Sequence, residues 1–255
     1  MRFVWIGFGV FVAAGAMTLH LFAHEATVAT DSTTHPTPVL VELFTSEGCS
    51  SCPPADALLA RLDANQFVPG ARAIVLSEHV TYWNSLGWSD PFSFEKMTER
   101  QQTYVHRLGL DSSYTPQAVV DGVAEFVGSD ERKMTRAVAQ AAVIPKHPLA
   151  IEQASLSAGV VHFTLRGGAI PATTIVAALA EDAAQSSVLR GENGGRTLRH
   201  VAVVRSMEEI VGAAGGHEFS IKQTAASGSA LRLVVFAVER RTGHVVALDE
   251  RLVDR

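Results

Sequence analysis

Cysteine is nearly absent from this 255-residue chain, which has two, Cys49 and Cys52. That scarcity excludes a framework of several disulfides. It also weighs against a closed structural zinc site, which takes four ligands, since no second cysteine pair exists. A basic excess is missing too. The formal net charge is −5, with 14 acidic and 9 basic side chains in residues 31–147 and 11 of each in residues 148–255. No basic stripe is available to neutralise phosphates, so nucleic acid is not an expected partner. There is no internal repeat, and after residue 23 no apolar run is long enough to cross a bilayer as a helix. The run from Gly191 to Arg196 is glycine-rich but does not follow a strand-to-helix phosphate pattern, so a β-turn with Glu192 paired to Arg196 is expected there rather than a nucleotide site.

What is present suffices for one or two cores, since 47% of residues are hydrophobic and 18% charged. Arg2 precedes a mostly apolar run from Phe3 to Ala23, followed by small and polar residues. Residues 1–29 therefore read as an export signal with cleavage after Ala23 or Ala29, and the expected location is secreted or periplasmic. The competing reading is an uncleaved anchor, because Phe3 to Ala23 is just long enough to span a bilayer, although Gly7, Gly9, Gly15, Thr18 and His20 weaken it. Membrane attachment is expected only in that case. Outside the reducing cytosol a CxxC pair can persist as a disulfide.

Residues 30–38 form a polar, proline-punctuated linker. Beyond it the pattern reads strand (Val39 to Phe44), helix (from Pro53, since prolines are tolerated in a first turn) and strand (Ala73 to Ser77). An aromatic loop and a helix from about Phe94 to Leu108 follow as an insertion. Ala118 to Val120 and Val123 to Val127 then form a hairpin around Asp121-Gly122, and Ser129 or Asp130 caps a last helix ending at Ala142. From residue 147 onward six short strands are expected, at 149–156, 160–165, 174–179, 199–204, 231–238 and 245–252, with loops between Gly212 and Ser229. The predicted organisation is an α/β domain over 39–146 and a β-rich, antiparallel sandwich-like domain over 147–255.

The chemistry is concentrated in Cys49-Ser50-Ser51-Cys52, at a strand-to-helix turn. Two thiols three apart can close a small ring without moving the fold, and a helix start favours the thiolate, so Cys49 would attack and Cys52 resolve the mixed disulfide. This reading requires Cys49 to face solvent within bonding reach of Cys52. A purely structural disulfide, or a copper or zinc site built from Cys49, Cys52 and His79, are the alternatives. Ser50 and Ser51 carry no charge and Glu47 opposes thiolate formation, which argues against a very strong oxidant. His79 ends the second strand on the side where the first strand delivers the cysteines. It could tune Cys49, ligate a metal, or serve the backbone structurally. Tyr82, Trp83 and Trp88 either wall a substrate groove or plug an interface.

Val41 to Asp56 with its GCSSCPPAD motif, His79 to Trp83, Leu86-Gly87-Trp88, Tyr114 to Gln117 and Gly191-Glu192-Asn193 together resemble the secreted, thioredoxin-like proteins grouped as domain of unknown function 1223. The resemblance covers about residues 38–255. It implies a thioredoxin-like domain with a helical insertion, an exported location, and a Cys49–Cys52 disulfide. Within such a fold Pro116 would be a cis-proline opposite the cysteines, with Thr115 contacting the substrate backbone. Glu42 would be the buried carboxylate that takes the proton of the resolving thiol, and strand alternation with Leu40 and Phe44 argues for its burial. Thr81, Asn84 and Gly194 depart from the family's pattern, which removes support for acid–base or charge roles there. The partners implied are protein thiols or disulfides, and no organic cofactor is required.

Overall fold

Residues 37–45 (TPVLVELFT) are almost entirely apolar or β-branched, and in the computed structural model they form β1 (Thr37–Thr45), buried from Val39 onward. The structure describes residues 1–4, 7, 35–167, 170–210, 218–222 and 228–254. Apart from residues 1–4 and 7, the expected signal or anchor lies outside the described residues, as does most of the linker.

The remaining elements are α1 (Pro53–Asn65), β2 (Ala71–His79), a 3-10 turn (Asn84–Leu86), α2 (Glu95–Leu108), β3 (Gln117–Val120), β4 (Ala124–Val127) and α3 (Glu131–Ala142). These are followed by β5 (Leu149–Ser157), β6 (Val160–Gly167), β7 (Thr173–Ser187), β8 (Thr197–Ile210), β9 (Glu218–Lys222), β10 (Leu231–Glu239) and β11 (Val245–Leu252). The protein is thus a mixed α/β structure with a large, mostly antiparallel sheet and few helices. The order in the eight-stranded sheet is β11-β10-β7-β8-β2-β1-β3-β4, and β5-β6-β9 form a second sheet.

Two pairings in the large sheet are parallel. β1 runs beside β2 from Thr37↔Ala71 to Thr45↔His79, and β2 meets β8 at Ser77↔Val203. The second of these corrects the picture of a separate sandwich. The antiparallel strands are present as expected, but β7, β8, β10 and β11 continue the sheet begun by β1–β4, and residues 34–255 form one compact unit. The reason is visible in β7 and β10, which are apolar on both faces as strands in the middle of a covered sheet must be. Val176, Ala178 and Phe236 join the core that also holds the α1 and α3 side chains, while Ala177, Leu179, Leu233 and Val235 join a second core under β5, β6 and β9. β9 was read as loop; its Ile221 is buried in that second core.

Alternation along β1 sorts its two faces, which fixes everything at its C-terminal end. Leu43 converges with Ala55 and Pro116 on Gly128, and Thr45 Oγ1 donates to Asp56 Oδ1 at 2.8 Å, so the odd residues face α1. Phe44 meets Tyr104 edge-on, with ring centroids 5.8 Å apart, so the even residues face α2. α3 begins at Asp130, whose Oδ1 accepts from the Lys133 N–H.

Candidate functional site

Cys49 and Cys52 form a disulfide at the turn between β1 and α1, with Cα atoms 5.5 Å apart. The turn is held by backbone bonds from Cys49 N–H to Ser46 O and from Cys52 N–H to Cys49 O. Ser51 Oγ lies 3.3 Å from Cys49 Sγ. The helix supplies less activation than its position suggests. Pro53 and Pro54 have no N–H, and the N–H groups of Ala55 and Asp56 already donate to Cys52 O, so mainly the dipole remains.

The expectation of a solvent-facing Cys49 is corrected. Ser50 and Ser51 are exposed, but both cysteines are 0% exposed. The cover comes from the tip of the β7–β8 hairpin, whose strands run on to Ser187 and from Thr197, well beyond the short segments predicted. Asn193 Nδ2 donates to the carbonyls of Glu47 and Cys49, both at 2.9 Å, and Glu192 Oε2 accepts from the Ser50 N–H at 3.0 Å. Glu192 is therefore not paired with Arg196, which donates instead to Asn193 Oδ1. Gly191, at φ +77°, lies against Trp88, a conformation that suits glycine.

Behind the turn is a buried acid–histidine cluster. Glu47 Oε2 accepts from Trp88 Nε1 at 2.8 Å, and its Oε1 contacts Ser186 Oγ and lies 3.2 Å from His200 Nε2. His200 Nδ1 is 3.7 Å from Asp56 Oδ2. His79 pairs through Nδ1 with Asp90 at 2.7 Å, and its Nε2 is 3.3 Å from Ser77 Oγ. The His79 and His200 rings meet edge-on, 4.6 Å between centroids. Burial alone would lower the His79 pKa, but the Asp90 carboxylate outweighs it and leaves the pKa raised. Burial likewise opposes the Asp90 charge and is outweighed by His79, so Asp90 is held at about 2. Burial pushes Asp56 above the usual carboxylate range.

The predicted site residues divide accordingly. Glu42 is buried, but its carboxylate faces α2, taking Arg100 Nε at 2.6 Å and Tyr104 OH at 2.5 Å, on the opposite face from α1. It is the counter-ion of Arg100 and does not sit below Cys52. Its neighbour Glu78 is buried with it, and burial first, then the Glu42 charge, raises the Glu78 pKa well above normal. The carboxyl one helical turn beyond Cys52 is Asp56. Both ring nitrogens of His79 have protein partners, Asp90 and Ser77. Among the described residues no group of three His, Cys, Asp or Glu side chains is arranged to hold a metal ion.

The Thr115–Pro116 bond is cis. Thr115 Oγ1 accepts from Trp83 Nε1 at 2.8 Å, which ties the aromatic loop to that turn. Trp83 also packs on the cysteine turn, since a Cβ at Gly48 would come within 3.0 Å of its Cβ. Tyr82 is 38% exposed and donates to Gln101. Sequence reasoning gave no role to Asn193, His200, Asp56 or Asp90. The alternation Leu198, His200, Ala202 placed His200 on an inner face, and that signal was available.

No curated protein matches the chain. Among solved structures it is similar to AGR_C_4864 from Agrobacterium tumefaciens, with 25% identity and a TM-score of 0.62, over 86% of this chain and 95% of that one. It also resembles HBP35 of Porphyromonas gingivalis in fold, with 14% identity and a TM-score of 0.56, over 86% and 76% of the two chains. Residues 40–238 match the sequence profile of the protein family of unknown function DUF1223, and the chain belongs to that family.

Proposed function

We propose that the chain is an exported thiol–disulfide exchange protein with a thioredoxin-like core. The observation that carries this reading is the Cys49–Cys52 bridge, closed at the start of α1 directly after a buried parallel strand. The order β1-α1-β2, then α2, then β3-β4-α3 supports it, as does the position of Pro116 beside Leu43 and Ala55 at the same end of the sheet.

Both cysteines are buried in the closed structure, so the turn must first open to a partner; in the reduced state the Cys49 thiolate then attacks the partner protein's disulfide. One partner sulfur leaves as a thiolate and a mixed disulfide forms. Cys52, deprotonated, then attacks Cys49 Sγ, closing the ring and releasing the second partner thiol, so the partner is reduced by two electrons and this protein oxidised. Run backwards, the same steps oxidise a partner dithiol. Asp56, one turn beyond Cys52 with a raised pKa, is the group suited to exchange the proton of the resolving thiol. Glu47 and Asp56 are both acidic, and their presence disfavours the thiolates and hence a strongly oxidising potential. Trp83, which packs on Gly48 of the turn, and Thr115, bonded to it, serve substrate contact, with Tyr82 exposed beside Trp83.

The test is trapping. A Cys52→Ala variant should accumulate mixed disulfides with partner proteins that dithiothreitol releases, while Cys49→Ala should accumulate none. If Cys52→Ala also captures none, the bridge is a structural staple and the exchange reading fails.

A further inference from the structure

The tip of the β7–β8 hairpin does more than lie over the disulfide. Its loop is internally complete: Val188 N–H donates to Arg196 O, Gly195 N–H to Val188 O, Gly194 N–H to Gly191 O and Arg196 N–H to Asn193 O. The Asn193 side chain is therefore presented by a preformed loop at the end of a long ribbon, and it is 0% exposed. Its contact with the cysteine turn consists of donors from one carboxamide to two carbonyls, with the Glu192 acceptor alongside. A carboxamide is the same functional group as a peptide bond. The carbonyls of Glu47 and Cys49 are thus already arranged to receive an amide N–H immediately beside the reactive sulfur.

We propose that the Val188–Arg196 tip is a built-in pseudo-ligand. Asn193 occupies the amide-recognition position of the cysteine turn, and an extended peptide of a partner must replace it, donating backbone N–H groups, one to each carbonyl it engages of Glu47 and Cys49, before Cys49 reacts. The proposal rests on the exchange reading and identifies the ligand class as a peptide segment bearing a cysteine. It explains how a fully buried Cys49 can serve exchange. The tip meets the turn through the Asn193 and Glu192 hydrogen bonds and the packing of Gly191 on Trp88, with Val188 buried at its base, and as the end of a ribbon it can open locally without unfolding the core.

Chemically, an incoming thiolate attacks Cys49 Sγ and Cys52 leaves as a thiolate that takes a proton; a second thiolate then attacks the sulfur of the first, Cys49 leaves as a thiolate that takes a proton, and the two external thiols depart as a disulfide. The protein gains two electrons and two protons while the thiols are oxidised. Opening of the tip precedes the first attack.

The experiment uses the full chain in the oxidised state. It measures the pseudo-first-order reduction of the Cys49–Cys52 disulfide by dithiothreitol, for the unaltered protein, Asn193→Ser and Asn193→Asp. Serine is too short to reach the carbonyls and adds no charge, whereas aspartate keeps the shape but turns an acceptor toward two acceptors. Folding of each variant is checked by thermal melting. The expected result is acceleration of about tenfold or more in both, since each loses the hydrogen bonds that close the tip. A peptide of five residues with a central cysteine should reduce the unaltered protein faster than dithiothreitol at equal thiolate concentration. N-methylation of the amides beside its cysteine should remove that advantage.

Equal rates for all three proteins would overturn the pseudo-ligand assignment, as would a peptide insensitive to N-methylation. The two readings fail separately. Acceleration without any trapping by Cys52→Ala leaves the lid standing and removes the exchange function. Trapping with unchanged reduction rates keeps the function and removes the lid.

Discussion

His79 Nδ1 and Asp90 Oδ2 stand 2.7 Å apart with both side chains wholly buried. This contact joins the end of β2 to the aromatic loop, because Asp90 also accepts from the Glu47 N–H at 2.8 Å and from the Phe92 N–H at 2.9 Å. One carboxylate therefore fixes the histidine, the residue two before Cys49, and the loop bearing Trp83 and Trp88. The lower wall of the cysteine turn depends on it.

The pair makes stability depend on pH in a defined window. His79 is raised above its ordinary 6.5, so its contribution is complete below that value and is lost as pH rises through the folded pKa. Asp90 is lowered from 3.8 to about 2, so its contribution is complete above 3.8 and is lost as pH falls through about 2. The pair should stabilise most between about pH 4 and 6.5. Asp90→Asn should cost about 3 kcal/mol in that window, because it leaves a buried histidine without its counter-ion. The decline attributable to His79 above pH 6.5 should vanish in the variant. Urea midpoints at half-unit pH steps check both, and an unchanged profile in the variant contradicts the assignment.

Asp56 and Glu42 make contrasting predictions. Asp56 lies on the cysteine side of β1 and Glu42 on the α2 side. In the reduced protein Asp56→Asn should lower the pH midpoint for alkylation of the cysteines by iodoacetamide, since a negative charge near the thiols is removed. Glu42→Gln should leave that midpoint in place and instead destabilise the fold by about 3 kcal/mol, because Arg100 loses the nearer of its two buried carboxylate partners and keeps only Glu78 at 3.5 Å. A shared shift in both variants would mean that Glu42 communicates with the thiols.

Much of the α/β half was legible because each element carries its own signal. β1 and β2 are buried runs of Val, Leu and Ile, α1 opens on Pro53-Pro54, and the hairpin turns at Asp121-Gly122. The burial of Glu42 followed from alternation, but its partner did not, since Arg100 lies 58 residues away on an inserted helix. The distal half of β7, Asp182 to Ser187, gave little strand signal. It is small and polar, alternates between half-buried and exposed positions, and has no apolar stripe. That weak segment carries the loop to the cysteines, so the cover over Cys49 was the least legible part of the site. The joining of the two halves into one sheet was also hidden, because it turns on a single parallel contact, Ser77↔Val203.

Gly128 measures how tightly the cysteine turn and Pro116 are set together. A Cβ there would stand 2.5 Å from Leu43 Cδ1, 3.3 Å from Ala55 Cβ and 3.5 Å from Pro116 Cβ. Gly128→Ala should cost about 1–3 kcal/mol by overpacking. Leu43 Cδ1 must give way first and Ala55 at the start of α1 is the next tightest contact, so the cysteine turn is pressed from α1 and exchange with a peptide disulfide should slow more than reduction by dithiothreitol. Equal slowing of both would place the effect on stability alone.

Arg232 supplies the last test, because it ties α1 to the strands of the second half. Its guanidinium reaches Asp63 of α1 at 2.7 Å, Asp182 of β7 at 2.5 Å and Glu250 of β11 at 3.4 Å, and its side chain is only 12% exposed. Substituting Met keeps much of the apolar stem but leaves Asp63 and Asp182 without this cation and Glu250 with Arg72 alone. At neutral pH the loss should be about 2–4 kcal/mol, larger than for an exposed pair because water screens this one less. Burial outweighs the pull of Arg232 and Arg72 and already raises Glu250, and removing one cation raises it further. The carboxylates of the variant therefore take up protons at a higher pH than those of the unaltered protein, so the stability gap should narrow as pH falls from 7 toward 4. Denaturant midpoints for both proteins at the two pH values decide it. A gap that stays constant would locate the loss in packing of the arginine stem and not in the charges that join α1 to β7 and β11.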